Sequence, residues 1–374
     1  MIQTLDQAIV KASGIQIGER SPGFYRLAES DESPQPRPML QLPECPDEDW
    51  APAFHMKTKR VHALGCYLAN EIVLVNKGFL LYQGEPIYQP DIVVPYIANM
   101  IEKEPPSDIR ADAGSGVISL KNPALVAWDV SVKTYGHFLI DVLPRLLIFE
   151  KLFDQELGNC AIIFPHDLPT WAIEILRQVF PRLMENTKLV DFTQNVVRMR
   201  RAIIPTHCHY YYYFHPLARL IFDELYVRSA AENAEIDGRY SGLLFVSRSS
   251  LKRQTGSRDC LDIEEVESYA RQAGFFVIHP EKMPWKQQLK YFRLARVVVG
   301  EYGSGLHNAL FSPAGVVTIA LNRIQFLQSF IGALKGQRVG YLLPLDKGGE
   351  SACSWYRLGV ERARRAIDFA ISLR

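Results

Sequence analysis

Three residues near the middle of the chain have the types and spacing that suit acid–base chemistry. His137, Asp141 and Arg145 are separated by steps of four, which places them along one face of a helix. A carboxylate beside a histidine fixes the tautomer of the ring and stabilises its charged form, so the pair suits a general base. The alternative is an ordinary salt bridge between Asp141 and Arg145. Pro144 interrupts the helix pattern and leaves the alignment of Arg145 open.

The segment 300–308 (GEYGSGLHN) carries glycines between the end of an apolar run and the start of a helix pattern. Backbone N–H groups exposed at such a turn suit a phosphate or diphosphate. The order is GxxGxG and not the GxGxxG of a dinucleotide site, and the next apolar run ends at Asn322, where such a site needs an acidic residue. The pattern disfavours a nicotinamide enzyme. A tight turn without a ligand is the competing interpretation.

Two arginines, Arg248 and Arg253, follow the first strand pattern of the C-terminal half. Ligands of open α/β sheets bind beyond the carboxyl ends of the strands, so cations at this place are well positioned for a phosphate. The alternative is a solvated basic loop.

The segment 207–215 (HCHYYYYFH) contains three histidines and one cysteine, which is a composition found in zinc sites. Its HxH spacing has neither a fourth ligand nor a CxxC partner. An aromatic wall for a sugar, or for the core, is favoured because aromatic faces suit both. We therefore expect no bound metal.

The elements that position these residues alternate between strand and helix patterns. Apolar runs such as GLLFVSR, VVVG and VVTIAL, separated by helix patterns, predict parallel βαβ units covered on both faces. The fold class expected is α/β. The predicted divisions are a proline-rich extended arm at 1–55, an N-terminal domain with an initial β-hairpin region at 56–237, a C-terminal domain at 238–345, and a helix within 346–374 that packs back across the domains.

The composition excludes several classes of protein. The chain has 374 residues, 48% of them hydrophobic and 22% charged, with a formal net charge of +1, which argues against disorder, coiled coil and a general nucleic-acid binder. Neither a signal peptide nor a membrane span is evident, so we expect a cytoplasmic protein. Contact of the arginine-rich C-terminal helix with the inner membrane surface is an alternative to docking on the protein itself.

Three ordered segments together resemble glycosyltransferase family 61, the family of bacterial capsular polysaccharide transferases, plant xylosyltransferases and eukaryotic O-linked GlcNAc transferases. They are GHFLIDVLPRL (136–146), FVSR (245–248) and the long stretch FFVIHPEKMPWKQQLKYFRLARVVVGEYGSGLHNALFSPAG. The resemblance covers roughly residues 120–325.

The resemblance implies a GT-B-like fold of two Rossmann-like domains facing across a cleft. It implies an inverting, metal-independent transfer from a nucleoside-diphosphate sugar, with UDP favoured, to a glycan or glycolipid in polysaccharide biosynthesis. No cofactor is expected. A homo-oligomer is left open.

Matched position by position, His137, Asp141 and Arg145 fall on the family's H-x-x-x-D-x-x-P-R-like signature. We expect Asp141 to be the base, with His137 as its partner or rival, and Arg145 and Tyr135 to bind or orient the acceptor. One of Gln287 and Gln288 falls on the family's helix glutamine. The residues implied for the donor are Arg248, Arg253, Tyr302, Gly303, Ser304, Gly305, Leu306, His307 and Asn308.

Two positions depart from the family pattern, and both lie in the glycine turn. Tyr302 stands where the family usually has histidine, and His307 stands where it has a small polar residue. The Tyr302 hydroxyl, Arg248 or His307 then has to replace the usual grip on the diphosphate. The alternatives are a catalytically silent glycan-binding or scaffold protein, a transferase using a nucleoside-monophosphate sugar and, third, a Rossmann-type oxidoreductase.

Overall fold

The computed structural model describes residues 23–36, 39–40, 42, 57–75, 78–87, 89–93, 116–251, 259–348 and 355–374. Arg253 and most of the predicted arm lie outside these ranges. The described residues form two compact units, unit 1 from within 1–32 and 60–225, and unit 2 from within 33–59 and 226–374. Both units combine sheets with helices, which confirms the α/β class.

Unit 1 is built on a mixed nine-stranded sheet with the order β10-β9-β8-β11-β4-β5-β6, in which β1 also pairs with β4 and β7 with β11. Its described strands are β1 Gly23–Ala28, β2 Asp31–Glu32, β3 Arg60–Val61, β4 Leu64–Leu74, β5 Leu80–Tyr82, β6 Glu85–Pro86, β7 Gly116–Leu120, β8 Ala124–Leu125, β9 Ala161–Pro165, β10 Thr187–Val190, β11 Asn195–Pro205, β12 His209–Tyr210 and β13 Tyr213–Phe214.

The sheet of this half is mixed, which differs from the purely parallel sheet of a Rossmann-like domain. Strands β8 to β11 pair in parallel, but β4 joins β11 in antiparallel orientation and continues into the hairpin with β5. The hairpin was predicted. Its turn uses Gly78 at φ +80°, a conformation that glycine adopts without a steric penalty.

The helices of unit 1 connect the parallel strands and hold the first candidate site. The helices are α1 Tyr135–His137, α2 Leu143–Phe153, α3 Thr170–Val179, α4 Pro181–Glu185 and α5 Ala218–Arg228. A π-helical turn, Phe138–Val142, joins α1 to α2, and a short 3-10 turn, Val130–Lys133, precedes α1.

Unit 2 contains a five-stranded parallel sheet with the order β16-β14-β17-β18-β19. Its central strands are buried along their whole length, as expected for a parallel sheet covered on both faces. The elements are β14 Leu243–Val246, β15 Asp259–Cys260, α6 Ile263–Gln272, β16 Phe276–Ile278, α7 Trp285–Arg293, β17 Val297–Glu301, β18 Val317–Leu321, α8 Phe326–Lys335, β19 Arg338–Leu342, β20 Asp346–Gly348, β21 Trp355–Arg357 and α9 Val360–Ser372.

The strand order of unit 2 defines a topological switch point. From β14 the chain moves outward to β16, then returns to β17 on the other side of β14 and continues through β18 to β19. In open parallel sheets ligands bind at the carboxyl ends of the two strands where the order reverses. In unit 2 those strands are β14 and β17.

The C-terminal segment packs on unit 2. Strand β21 lies between β15 and β20 in a small sheet, and α9 contacts α6, β17 and β18. Arg362 donates to the carbonyls of Leu343 and Leu358, and Arg364 pairs with Glu361. These contacts support docking of the helix on its own protein. Within the described part of the chain, no helix has the length and apolar character needed to span a membrane.

Asp262 immediately precedes α6. Its side chain makes no capping hydrogen bond to α6. The carboxylate instead accepts hydrogen bonds from the backbone N–H groups of Leu358 and Gly359, immediately before α9. Asp262 therefore anchors the C-terminal helix.

Candidate active site

In unit 1 the carboxyl ends of β8 and β11 converge on the start of the helical segment. Asp129 follows β8 and accepts from the backbone N–H of Ser131 at 2.8 Å, which caps the 3-10 turn. His207 and His209 follow β11. Because β8 and β11 are parallel neighbours, these residues lie at the same edge of the sheet.

The π-helical turn sets the position of Asp141. Leu143 donates its N–H to the carbonyl of Phe138, five residues back, and Pro144 follows in the first turn of α2. Proline has no N–H, and its ring crowds the carbonyl four residues earlier, so the turn before it opens. The freed Ile140 carbonyl lies 4.0 Å from the Sγ of Cys208.

Asp141 binds a histidine through each of its oxygens. Oδ2 lies 2.8 Å from His137 Nδ1, and Oδ1 lies 2.5 Å from His209 Nε2. Asp141 is buried, whereas 45% of the His137 side chain is exposed. The predicted His137–Asp141 contact is therefore present in the structure, and only its histidine faces solvent.

The electrostatics separate the roles of the two residues. Burial alone would raise the pKa of Asp141, but the charge of His209 and the hydrogen bonds from both histidines lower it well below its usual range. Burial opposes the charged form of His137, but its hydrogen bond and attraction to Asp141 outweigh that effect and raise the pKa. Asp141 is thus a persistent anion that orients His137.

Arg145 was expected to orient the acceptor, but its side chain is buried and bonded to backbone carbonyls. It is 2% exposed, and its guanidinium donates to the carbonyls of Pro205 and Val126. Burial lowers its pKa to about 10. Arg145 therefore ties α2 to the ends of β11 and β8. Tyr135 is half-buried with its ring edge-on to Trp171, at 5.6 Å between centroids.

His207 and His209 are functional candidates that the spacing argument did not connect to Asp141. They lie far from it in sequence, and only the meeting of β11 with the helical segment brings them together. The signal in the sequence was the HxH pattern directly after a strand. Asp129 gave no comparable signal, since nothing in the spacing links the end of β8 with the helical segment.

In unit 2, Arg248 and Gly303 lie at the switch point between β14 and β17. The Arg248 backbone N–H donates to Glu301 Oε2 at 2.8 Å, which fixes the loop after β14. The guanidinium of Arg248 passes directly over Gly303, where a Cβ would overlap it. The sequence predicted both residues for the donor, and the structure brings them together.

A buried carboxylate stabilises this arrangement. Glu301, the last residue of β17, is 3% exposed and accepts from Arg248 and from the hydroxyl of Tyr356 at 2.7 Å. Ser247 donates to Glu267 on α6. The loop that carries Arg248 is therefore held by two carboxylates while its guanidinium stays half-buried.

Tyr302 and His307 form a pair at the base of the turn. The Tyr302 hydroxyl lies 3.3 Å from His307 Nε2, and both residues are largely buried. The exposed guanidinium of Arg323, just beyond β18, stacks over the Tyr302 ring at 5.2 Å. Arg323 is a second cation at this edge of the sheet. Its position two residues after the apolar run VVTIAL was the signal that could have identified it.

Leu306 and Asn308 hold the turn in place instead of facing a ligand. Both are fully buried, and the Leu306 N–H is bonded to the Gly303 carbonyl at 3.0 Å. The Asn308 amide donates to Gln288, which in turn donates to the carbonyl of Pro280. Ser304 and Gly305 are partly exposed beside Gly303 and stay candidates for the donor.

Alanine substitutions at two glycines of this segment distinguish a glycine of the candidate site from a glycine that strand pairing requires. At Gly303 the new methyl meets only the end of the flexible Arg248 side chain, so we expect a small loss of stability and a displaced guanidinium. At Gly300 the methyl lies 2.5 Å from the backbone carbonyl of Val246, so the β14–β17 pairing has to shift. Urea unfolding should show a loss of about 1–3 kcal/mol for Gly300→Ala and a much smaller one for Gly303→Ala. Equal losses would contradict the assigned contact.

The comparison with protein families covers both sites. The family model described as Glycosyltransferase 61 matches residues 135–319, about half of the chain, from the start of α1 into β18. No curated protein matches the chain. The matched stretch contains the His137–Asp141 pair together with Arg248 and the glycine turn. The chain therefore belongs to glycosyltransferase family 61, a family of sugar transferases.

Proposed function

We propose that this glycosyltransferase moves a sugar, with inversion, from a nucleoside-diphosphate donor to a hydroxyl of a glycan or glycolipid. A UDP-sugar is the favoured donor, and polysaccharide biosynthesis is the proposed pathway. The proposal assigns donor binding to unit 2 and acceptor activation to unit 1. It includes the GT-B-like arrangement that the family resemblance implies.

The observation that carries the proposal is the contact between Arg248 and Gly303. A cation lies over a partly buried glycine turn at the switch point of a parallel sheet, where such sheets bind phosphate-bearing ligands. Arg323 adds a second positive charge nearby. These groups match the two charged phosphates of a leaving nucleoside diphosphate.

The reaction follows from these positions. The acceptor oxygen forms a bond to the anomeric carbon while the bond from that carbon to the phosphate oxygen breaks. The bonding electrons leave with the nucleoside diphosphate, and Arg248 and Arg323 offset its negative charge. We propose that no metal is needed at the departing diphosphate.

We assign the general base to His137 in preference to Asp141, the residue favoured by the sequence. Both oxygens of Asp141 are bonded to imidazoles and the group is buried, so it does not reach an acceptor. Its Oδ2 accepts a hydrogen bond from Nδ1–H of His137 and so keeps the ring proton on Nδ1. Nε2 is then the ring nitrogen that accepts the proton of the hydroxyl. Asp141 acts as the orienting carboxylate.

The tyrosine hairpin β12–β13 is the proposed platform for the acceptor. Tyr211 at its tip is 49% exposed, and its ring lies edge-on to Tyr210 with 4.9 Å between centroids. The hairpin begins at His209, next to Asp141. Exposed aromatic faces so close to the proposed base suit the apolar face of a sugar ring.

A thermal-shift screen tests the donor assignment. Wild-type protein is heated with UDP, GDP, dTDP, CMP or NAD, each with and without EDTA. We expect one nucleoside diphosphate to raise the melting temperature, because a ligand at 100 times its Kd stabilises the fold by about 2.7 kcal/mol. A rise with CMP alone would favour a nucleoside-monophosphate sugar. No rise with any nucleotide would favour a silent glycan-binding protein.

A further inference from the structure

Two imidazoles of the HxH segment face one oxygen of Asp141. His209 Nε2 lies 2.5 Å from Oδ1, and His207 Nδ1 lies 3.8 Å from the same atom. One ligand atom from each of the three residues lies within 4.8 Å of the others, and all three residues are buried. Two histidines and one carboxylate are a common ligand set for zinc or non-haem iron.

Counting hydrogens shows that a positive species lies between His209 and Asp141. His209 Nδ1 is 2.9 Å from the carbonyl of Tyr211, which can only accept, so Nδ1 carries a hydrogen. In the neutral ring Nε2 is then a lone pair pointing at a carboxylate oxygen, which is repulsive. A proton on Nε2 removes the repulsion at this distance, whereas a metal ion does so only when the two atoms move apart to the roughly 3 Å that metal–ligand bonds of about 2 Å require.

His207 distinguishes the proton from the metal. It is 1% exposed, and neither ring nitrogen has a hydrogen-bond partner among the described residues. A proton between His209 and Asp141 leaves His207 unsatisfied, which is costly for a buried polar group. A metal ion satisfies all three side chains.

The buried charges also favour a dication. Three buried carboxylates of unit 1, Asp91, Asp129 and Asp141, act on the guanidinium of Arg145, and no other arginine among the described residues is buried. A divalent ion supplies both missing charges, and a proton supplies only one.

The hydrogen bonds that orient metal ligands are already in place. Asp141 Oδ2 is held by His137, and His209 Nδ1 is held by the Tyr211 carbonyl. The backbone of His207 is fixed by its N–H, which donates to the backbone carbonyl of Asp91, and by His62 Nε2, which lies 2.6 Å from the His207 carbonyl. Ligating histidines and carboxylates are usually fixed through such outer contacts.

We propose that Asp141, His207 and His209 bind one divalent first-row transition metal ion, with zinc fitting the ligand set best. This differs from the sequence expectation of no metal, which treated the HxH pattern without the carboxylate that the fold brings to it. The proposed ligands of the ion belong to unit 1, whereas the proposed diphosphate contacts belong to unit 2. The proposal is tested by metal content alone, so the result does not depend on whether the chain transfers a sugar.

Metal analysis of the full chain tests the site. Protein stripped with EDTA is reloaded separately with zinc, iron(II) or manganese, passed through gel filtration and measured by inductively coupled plasma mass spectrometry. We expect about one equivalent of zinc per chain, a higher melting temperature on reloading, and loss of the metal in His207→Ala and His209→Ala. The matched control is His166→Ala, at a histidine 50% exposed and 3.7 Å from Asp191, which should keep the metal.

Three results would overturn the proposal. The first is stripped wild-type protein that takes up none of the three metals and shows no thermal shift, which leaves a proton between His209 and Asp141. The second is metal retained equally by both histidine variants, which places it elsewhere. If the variants do not fold, the wild-type reloading still decides. Preferred uptake of iron over zinc supports the site and corrects the ion.

Discussion

Replacing His137 with glutamine lowers the turnover of the donor by about 10²–10⁴-fold without unfolding the protein. His137 is the exposed member of the pair, so the substitution removes a proton acceptor and leaves the core intact. Glutamine has nearly the same reach and keeps a donor for Asp141. The rate is followed as release of nucleoside diphosphate from the sugar donor selected by thermal shift.

His166→Gln is the control for this variant. His166 is equally exposed and also faces a carboxylate, that of Asp191, but neither residue belongs to the proposed site. Its rate should match the wild type within about two-fold. A His137→Gln rate within the same margin would remove His137 as the base.

Replacing Arg248 with alanine weakens binding of the nucleoside diphosphate by about 10–100-fold, the loss expected for charge-assisted hydrogen bonds. The backbone N–H of Arg248 keeps its bond to Glu301, so the loop and the β14 edge remain in place. The affinity is measured by isothermal titration calorimetry at fixed salt. The wild-type affinity should also fall as salt rises, because the contact is ionic.

Arg239→Ala is the matched control, since the Arg239 side chain is 86% exposed and pairs with Asp237. It should bind the nucleotide as the wild type does. Arg323→Ala should give a smaller loss than Arg248→Ala, because Arg323 is exposed and stacks on Tyr302 instead of crossing the glycine turn. Unchanged affinity in Arg248→Ala would move the diphosphate away from this turn.

The candidate residues of unit 2 could be predicted from sequence because their signals are local. The central strands of its parallel sheet are continuous apolar runs, and Arg248 and Gly303 each lie two residues beyond the end of a strand. The rule that ligands bind at strand ends then needs only the order of the strands. Arg323 obeyed the same rule. The roles of Leu306 and Asn308 were not predictable, because the motif does not show which side chains point into the core.

The candidate site of unit 1 was harder to predict, because it is formed by contacts between segments that are distant in sequence. Strand β8 has only two residues, and β4 joins the sheet in antiparallel orientation, so the pattern of apolar runs did not predict a mixed sheet. The four-residue spacing correctly predicted the His137–Asp141 contact. It could not predict the second histidine on Asp141, because His209 reaches it only after β11 has paired in the sheet.

The most direct test of the central claim is the release of nucleoside diphosphate from nucleotide sugars. Wild-type protein is incubated with UDP-glucose, UDP-N-acetylglucosamine, UDP-xylose, GDP-mannose and dTDP-rhamnose, and free nucleotide is measured over time. We expect release from one donor class, strongly reduced in both His137→Gln and Arg248→Ala. Release from none of the five, by protein whose fold is verified by circular dichroism, would contradict the assignment of these two sites to sugar transfer.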